Sequence, residues 1–104
     1  QTQVRKEFFL SSNTQREYDE HQNLEVARYF TTQPQKELID FYIKKLQEEG
    51  WDIKTNSQVN QIAYIIYARK PENRINIAII KTNRPNQYQV EVTYLPKLNI
   101  MQTE

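Results

Sequence analysis

No stretch of this chain narrows its possible folds more than Thr32–Trp51. Leu38, Ile39, Tyr42, Ile43 and Leu46 recur at the 3.6-residue period of a helix, with Phe41 flanking the stripe. Lys44, Gln47 and Glu48 fall on the opposite, water-facing side. Thr32 reads as the N-cap, with Gln35 at capping-box spacing and Pro34 in the first turn, where a missing N–H costs nothing. Gly50 is the sole glycine of the chain and follows the stripe directly. A helix C-terminus needs a residue that tolerates positive φ at that point. The spacing therefore predicts a helix over about 33–49, a left-handed Gly50, and a strand that opens with Trp51 and Ile53.

A helix with one apolar stripe must bury it against something, and the rest of the chain supplies strands. Residues 23–31 alternate, with Leu24, Val26 and Phe30 on one face and Glu25, Ala27, Tyr29 and Thr31 on the other; Arg28 interrupts the more apolar face. Residues 61–69 are apolar on both faces. Residues 74–82 place Ile75, Ile77 and Ile79 on one face, and residues 87–95 do the same with Tyr88, Val90, Val92 and Tyr94. Lys70-Pro71-Glu72-Asn73 and Asn83-Arg84-Pro85-Asn86 are short enough to close hairpins. The expected fold is α+β, an antiparallel sheet of about five strands in the order β-α-β-β-β-β with one helix on one face.

At 104 residues the chain holds one domain. Its boundaries are read as a polar N-terminal arm over 1–22, the α+β domain over 23–95 and a C-terminal tail over 96–104. Ser11 to Gln22 has the composition of an exposed loop, while Phe8-Phe9-Leu10 is costly to leave in water. The tail is unusual in carrying Leu98, Ile100 and Met101. The chain opens Gln1-Thr2-Gln3 rather than with Met, which fits a removed signal segment or a trimmed boundary.

Composition argues against several kinds of function. Fourteen basic and 13 acidic residues leave a net charge of +1, too little field to draw nucleic acid or an anionic membrane. No cysteine is present, so there is no disulfide framework and no thiolate chemistry. No run of apolar residues is long enough to span a bilayer.

Candidate chemical groups are few. His21 is the only histidine; beside Asp19 and Glu20 it could ligate a metal, but the spacing matches no metal motif and a solvated loop is the plainer reading. Ser11-Ser12 lacks a nucleophile elbow and a base. A phosphate-cradling loop needs several glycines. The carboxylate pairs Asp19-Glu20 and Glu48-Glu49 are sequence neighbours, whereas acid/base pairs normally come from separate elements, and Asp40 and Asp52 stand alone. No catalytic residue, cofactor or metal is expected. Tyr29, Tyr64, Tyr67, Tyr88 and Tyr94, with Arg69, Lys70, Arg74, Lys81 and Arg84 near the hairpin ends, could form a stacking platform for single-stranded nucleic acid. Ordinary cross-strand packing explains strand tyrosines equally well.

From Leu24 to about residue 95, the succession of a strand, Thr31-Thr32 before Pro34, Phe41-Tyr42, Leu46, Gly50-Trp51 and alternating strands resembles a domain of small exported bacterial proteins and lipoproteins. The resemblance implies an extracytoplasmic α+β domain of the accessory or binding type, and it carries no catalytic residues.

The resulting expectation is a non-enzymatic interaction module, an exported accessory or structural subunit of a larger assembly, with association to a membrane protein complex as one setting. One helix cannot cover all the apolar residues, and large uncovered apolar patches mark interfaces. The candidate partner contacts are Phe8, Phe9, Leu10, Tyr67, Ile80, Leu98, Ile100 and Met101. The partner is expected to be another protein or a second copy of the chain. The alternative is a single-stranded nucleic-acid binder that uses the sheet tyrosines and hairpin-end cations.

Overall fold

The computed structural model describes residues 15–19 and 24–96. Six strands and one helix follow in the order β1 (Gln15–Asp19), β2 (Leu24–Thr31), α1 (Gln35–Glu48), β3 (Asp52–Gln58), β4 (Ala63–Arg69), β5 (Asn73–Lys81) and β6 (Tyr88–Pro96). All strands belong to one antiparallel sheet with spatial order β1-β2-β6-β5-β4-β3. From β2 onward this is the expected β-α-β-β-β-β fold, with β3 to β6 as a meander and α1 crossing one face. The sixth strand is β1, which runs along β2 at the sheet edge. It lies within the stretch whose composition reads as an exposed loop, so that expectation is corrected: backbone pairing with β2 makes residues 15–19 an edge strand.

The helix forms where the stripe placed it. Leu38, Tyr42 and Leu46 are fully buried, and Ile39, Phe41 and Ile43 pack against them from the flanks. Lys44, Gln47 and Glu48 are exposed. Its start differs from expectation. Pro34 is the N-cap residue, with no side-chain cap, and its carbonyl accepts the first helical bond from the Leu38 N–H at 3.1 Å. Thr32 does not cap the helix. A residue before proline is held extended, which moves the start beyond Gln33, and the Thr31 hydroxyl accepts the Gln33 N–H instead.

The helix end matches expectation. Gly50 has φ +82°, its N–H reaches the Gln47 carbonyl at 3.1 Å, and the Trp51 N–H reaches the Leu46 carbonyl at 3.0 Å. These two bonds are the Schellman pattern, which satisfies the last helical carbonyls and turns the chain into β3. Trp51 is buried, in the same core cluster as Leu46, with Ile53 packed against it.

Register fixes which residues face the helix. Ile75, Ile77 and Ile79 of β5 lie beside Tyr94, Val92 and Val90 of β6 and beside Ala68, Ile66 and Tyr64 of β4. Ala27 and Tyr29 of β2 continue these rows opposite Val92 and Val90. The buried face of β2 is thus Glu25, Ala27 and Tyr29, and not the more apolar Leu24, Val26 and Phe30. Pairing with β6 decides the matter, because slipping one residue would turn the whole strand over. Tyr29 also meets Tyr42 hydroxyl to hydroxyl at 2.5 Å inside the core.

Candidate functional site: the outer face of the sheet

With α1 on the inner face, the other face of the sheet carries four cross-strand rows. At the β5–β6 turn end the row is Phe30, Gln89, Ile80 and Ala63. Next come Arg28, Glu91, Ala78 and Ile65, and then Val26, Thr93, Asn76 and Tyr67. At the β4–β5 turn end, Leu95, Arg74 and Arg69 stand side by side. The face therefore grades from apolar at one end to cationic at the other.

The apolar end is built firmly. Asn60 folds the β3–β4 tip, its Oδ1 accepting the N–H groups of Ile62 and Ala63, both at 2.9 Å. Val59 N–H closes the turn onto the Ala63 carbonyl at 2.9 Å. Lys81 N–H ties β5 to this tip through the Ile62 carbonyl at 2.7 Å. The exposed large hydrophobics of the described residues are Phe30, Val59 and Ile62, at 57%, 52% and 53% exposure. Phe30 lies in the row with Ile80 and Ala63, and Val59 and Ile62 sit on the turn that leads into Ala63. Three apolar side chains left half-open along one rim are more than a core needs.

Around the corner, toward the N-terminus of α1, lies an open hollow of about 290 Å³ lined by Gln35, Gln58, Gln61, Lys81 and Tyr88, and Ile62 borders it too. The Gln35 amide donates to Gln58 Oε1 at 3.4 Å across it. Among the described residues that line it there is no carboxylate.

Mid-face, Arg28 Nε donates to Glu91 Oε2 at 3.0 Å, a partly exposed cross-strand ion pair. Such a pair sets register more than it adds stability. At the cationic end, Arg69 and Arg74 are direct cross-strand neighbours. Arg74, whose Nε is buried without an acceptor, lines a hollow of about 110 Å³ with Tyr67, Asn76, Thr93 and Leu95. The Trp51 Nε1 is the other buried donor without an acceptor; its ring is held edge-on by Tyr94 at 6.3 Å and covered by the Lys70 ammonium at 4.8 Å. Nothing in the structure explains that orphaned indole N–H.

Of the expected contact residues, Tyr67 and Ile80 do share this outer face, two rows apart. Phe8, Phe9, Leu10, Leu98, Ile100 and Met101 lie outside the described residues, as do His21, Ser11 and Ser12. Sequence reasoning passed over Phe30, Val59 and Ile62; the interruption of the β2 apolar face by Arg28 was the available signal. The tyrosines do not form a platform. Tyr29, Tyr64, Tyr88 and Tyr94 are on the helix side and only Tyr67 is on the outer face. The hairpin-end cations separate as well, with Arg69, Lys70 and Arg74 at one end of β5 and Lys81 and Arg84 at the other.

The titratable groups that depart from their ordinary behaviour belong to the core. Burial pushes the Tyr42 phenol far up, with the neighbouring Tyr29 adding to it. Burial also raises Tyr94, helped by the Glu25 carboxylate. Both changes favour the neutral phenol, as a core requires. Among the described residues no group of three or more His, Cys, Asp or Glu could hold a metal ion, and no helix is long and apolar enough to cross a membrane.

The START domain-like family matches residues 10–94. That span covers most of the chain, and the protein belongs to the START domain-like family. No curated protein matches the sequence.

Proposed function

We propose that this domain is a non-enzymatic interaction module, an accessory or structural subunit of a larger assembly, and that it meets a protein partner with the outer face of its sheet. One observation carries the reading: the single helix covers one sheet face, and on the other face half-open Phe30 shares a row with Ile80, at the end of the sheet where the turn holding half-open Val59 and Ile62 also lies. Apolar side chains gathered in this way cost solvation unless something covers them. Membership in the START domain-like family supports a binding role. The resemblance to exported bacterial domains supports an extracytoplasmic location, which a signal peptide in the precursor would establish.

The test compares wild type with Phe30→Asp and Ile80→Asp, using Lys44→Ala as a control on the solvated side of the helix. Light scattering reads self-association, and retention from native extract reads a partner. The expected result is an association that both aspartate variants abolish and Lys44→Ala keeps. A wild-type chain that stays monomeric, and retains nothing that the aspartate variants lose, contradicts the proposal.

A further inference from the structure

The cationic end of the outer face is unfinished in a specific way. Arg69 and Arg74 are directly opposite one another on β4 and β5, so their side chains leave the same face at neighbouring positions. Like charges in that arrangement repel. Asp52 lies on the other side of Arg69, but its carboxylate is taken by Lys54 at 3.0 Å. Lys54, Arg69, Lys70 and Arg74 all lie on the strand ends and the turn at this end of β3, β4 and β5, and Asp52, the described cross-strand neighbour of Arg69, is the one paired with Lys54. Neither Arg69 nor Arg74 makes an ion pair with a described residue.

Arg74 adds the sharper observation. Its Nε is buried and has no acceptor. A buried donor left unmet is destabilising, and one on a guanidinium more so. The hollow it borders, about 110 Å³, is large enough for a carboxylate. Its lining includes Tyr67, Asn76 and Thr93, whose side chains can each donate, and none is hydrogen-bonded through its side chain to a described residue. Leu95 closes the side toward β6. The lining holds an unmet charged donor and neutral donors, and no acid.

We propose that Arg74, with Arg69 beside it, receives a carboxylate of the protein partner, and that Tyr67, Asn76 and Thr93 complete its hydrogen bonds. This rests on the reading of the outer face as a contact surface and makes it more specific. A guanidinium fork matches the two oxygens of a carboxylate, and the match is strongest where water is partly excluded. The apolar rim lies six residues along β5, from Arg74 to Ile80, which is about 20 Å. The partner then offers an acidic side chain or chain terminus at one end of its contact patch and apolar side chains about 20 Å away at the other.

The experiment follows the Arg74 Nε–H resonance of the full, isotope-labelled chain during titration. The probes are sodium acetate, a short glutamate-rich peptide, inorganic phosphate, and sodium chloride at matched ionic strength. Acetate should shift this resonance saturably and the acidic peptide should do so at lower concentration, while chloride leaves it in place. Arg74→Lys and Arg69→Gln, followed through the Asn76 and Thr93 amides, should each weaken peptide binding by about tenfold or more. Arg74→Met should abolish it yet leave the melting temperature of the free domain unchanged or higher, since an unmet donor and a like-charge contact are removed. An acetate response no larger than that of chloride overturns the proposal, and phosphate binding without carboxylate binding overturns the assignment of the group. A lowered melting temperature for Arg74→Met together with unchanged peptide binding shows instead that the arginine is structural. Each of these outcomes is separable from a failure of the interaction reading, which is judged on Phe30→Asp and Ile80→Asp.

Discussion

The two faces of this sheet are built from the same strands and obey different rules. On the inner face the central rows are apolar and buried, partly buried Ile53, Tyr64, Tyr88 and Tyr94 pack at their edges, and the Tyr29 and Tyr42 hydroxyls are joined by a hydrogen bond. On the outer face the residues grade from Phe30 and Ile80 through the Arg28–Glu91 ion pair to Arg69 and Arg74. The inner face is what a fold needs for its own stability. The outer face carries features that stability alone would remove: half-open apolar side chains, opposed like charges and a buried guanidinium donor without an acceptor. The contrast separates the residues that make the domain from those proposed to meet a partner.

Truncations on the inner face should break the fold, and the largest expected effect is Leu46→Ala. Leu46 is fully buried under α1, and its loss should cost roughly 2–5 kcal/mol in chemical denaturation. Tyr42→Phe comes next, at about 1–2 kcal/mol, because it removes the buried hydrogen bond between the Tyr42 and Tyr29 hydroxyls. This variant also sharpens the comparison through pH. The folded Tyr42 phenol is raised above its ordinary value of 10.0, so the unfolded chain ionises first and stability falls as pH climbs above that value. Denaturation midpoints taken across the alkaline range should fall more steeply for wild type than for Tyr42→Phe.

Gly50→Ala should cost about 1 kcal/mol. No atom lies within 4 Å of where the new Cβ would sit, so the whole penalty is the positive φ of +82° and not a clash. A cost well above that would mean that the helix end is held by packing rather than by backbone conformation. The smallest effects are expected at open positions. Phe30→Ala and Lys44→Ala should each change stability by less than about 0.5 kcal/mol. Only Phe30→Ala should also weaken association, which distinguishes an exposed contact residue from a solvated one.

Much of the inner face was legible in the sequence because its signals are redundant. Ile75, Ile77 and Ile79 alternate without interruption, as do Tyr88, Val90, Val92 and Tyr94, and one glycine marks the helix end. The orientation of β2 was not legible. Leu24, Val26 and Phe30 are more apolar than Glu25, Ala27 and Tyr29, yet the latter are buried. Hydropathy weighs each strand alone, whereas the pairing of Ala27 with Val92 and of Tyr29 with Val90 is a property of two strands distant in sequence. The edge strand β1 was hidden for a related reason, since its polar residues carry no periodic burial signal. The outer site was half legible. Tyr67 and Ile80 could be picked out as surplus apolar residues, and the short Lys70–Asn73 turn sets Arg69 opposite Arg74. That the Arg74 Nε is buried without an acceptor depends on the packing of Tyr67, Thr93 and Leu95 around it, which no local pattern contains.

The most direct measurement uses two neighbours on one strand. Ile79 and Ile80 are consecutive in β5 and chemically identical; Ile79 is fully buried under the helix, and Ile80 looks out in the row with Phe30. Chemical denaturation of Ile79→Ala and Ile80→Ala, run side by side, should give a loss of roughly 2–5 kcal/mol for the first and less than about 1 kcal/mol for the second. Equal losses at the two positions would show that the outer face is core like the inner one, and would contradict its assignment as a contact surface.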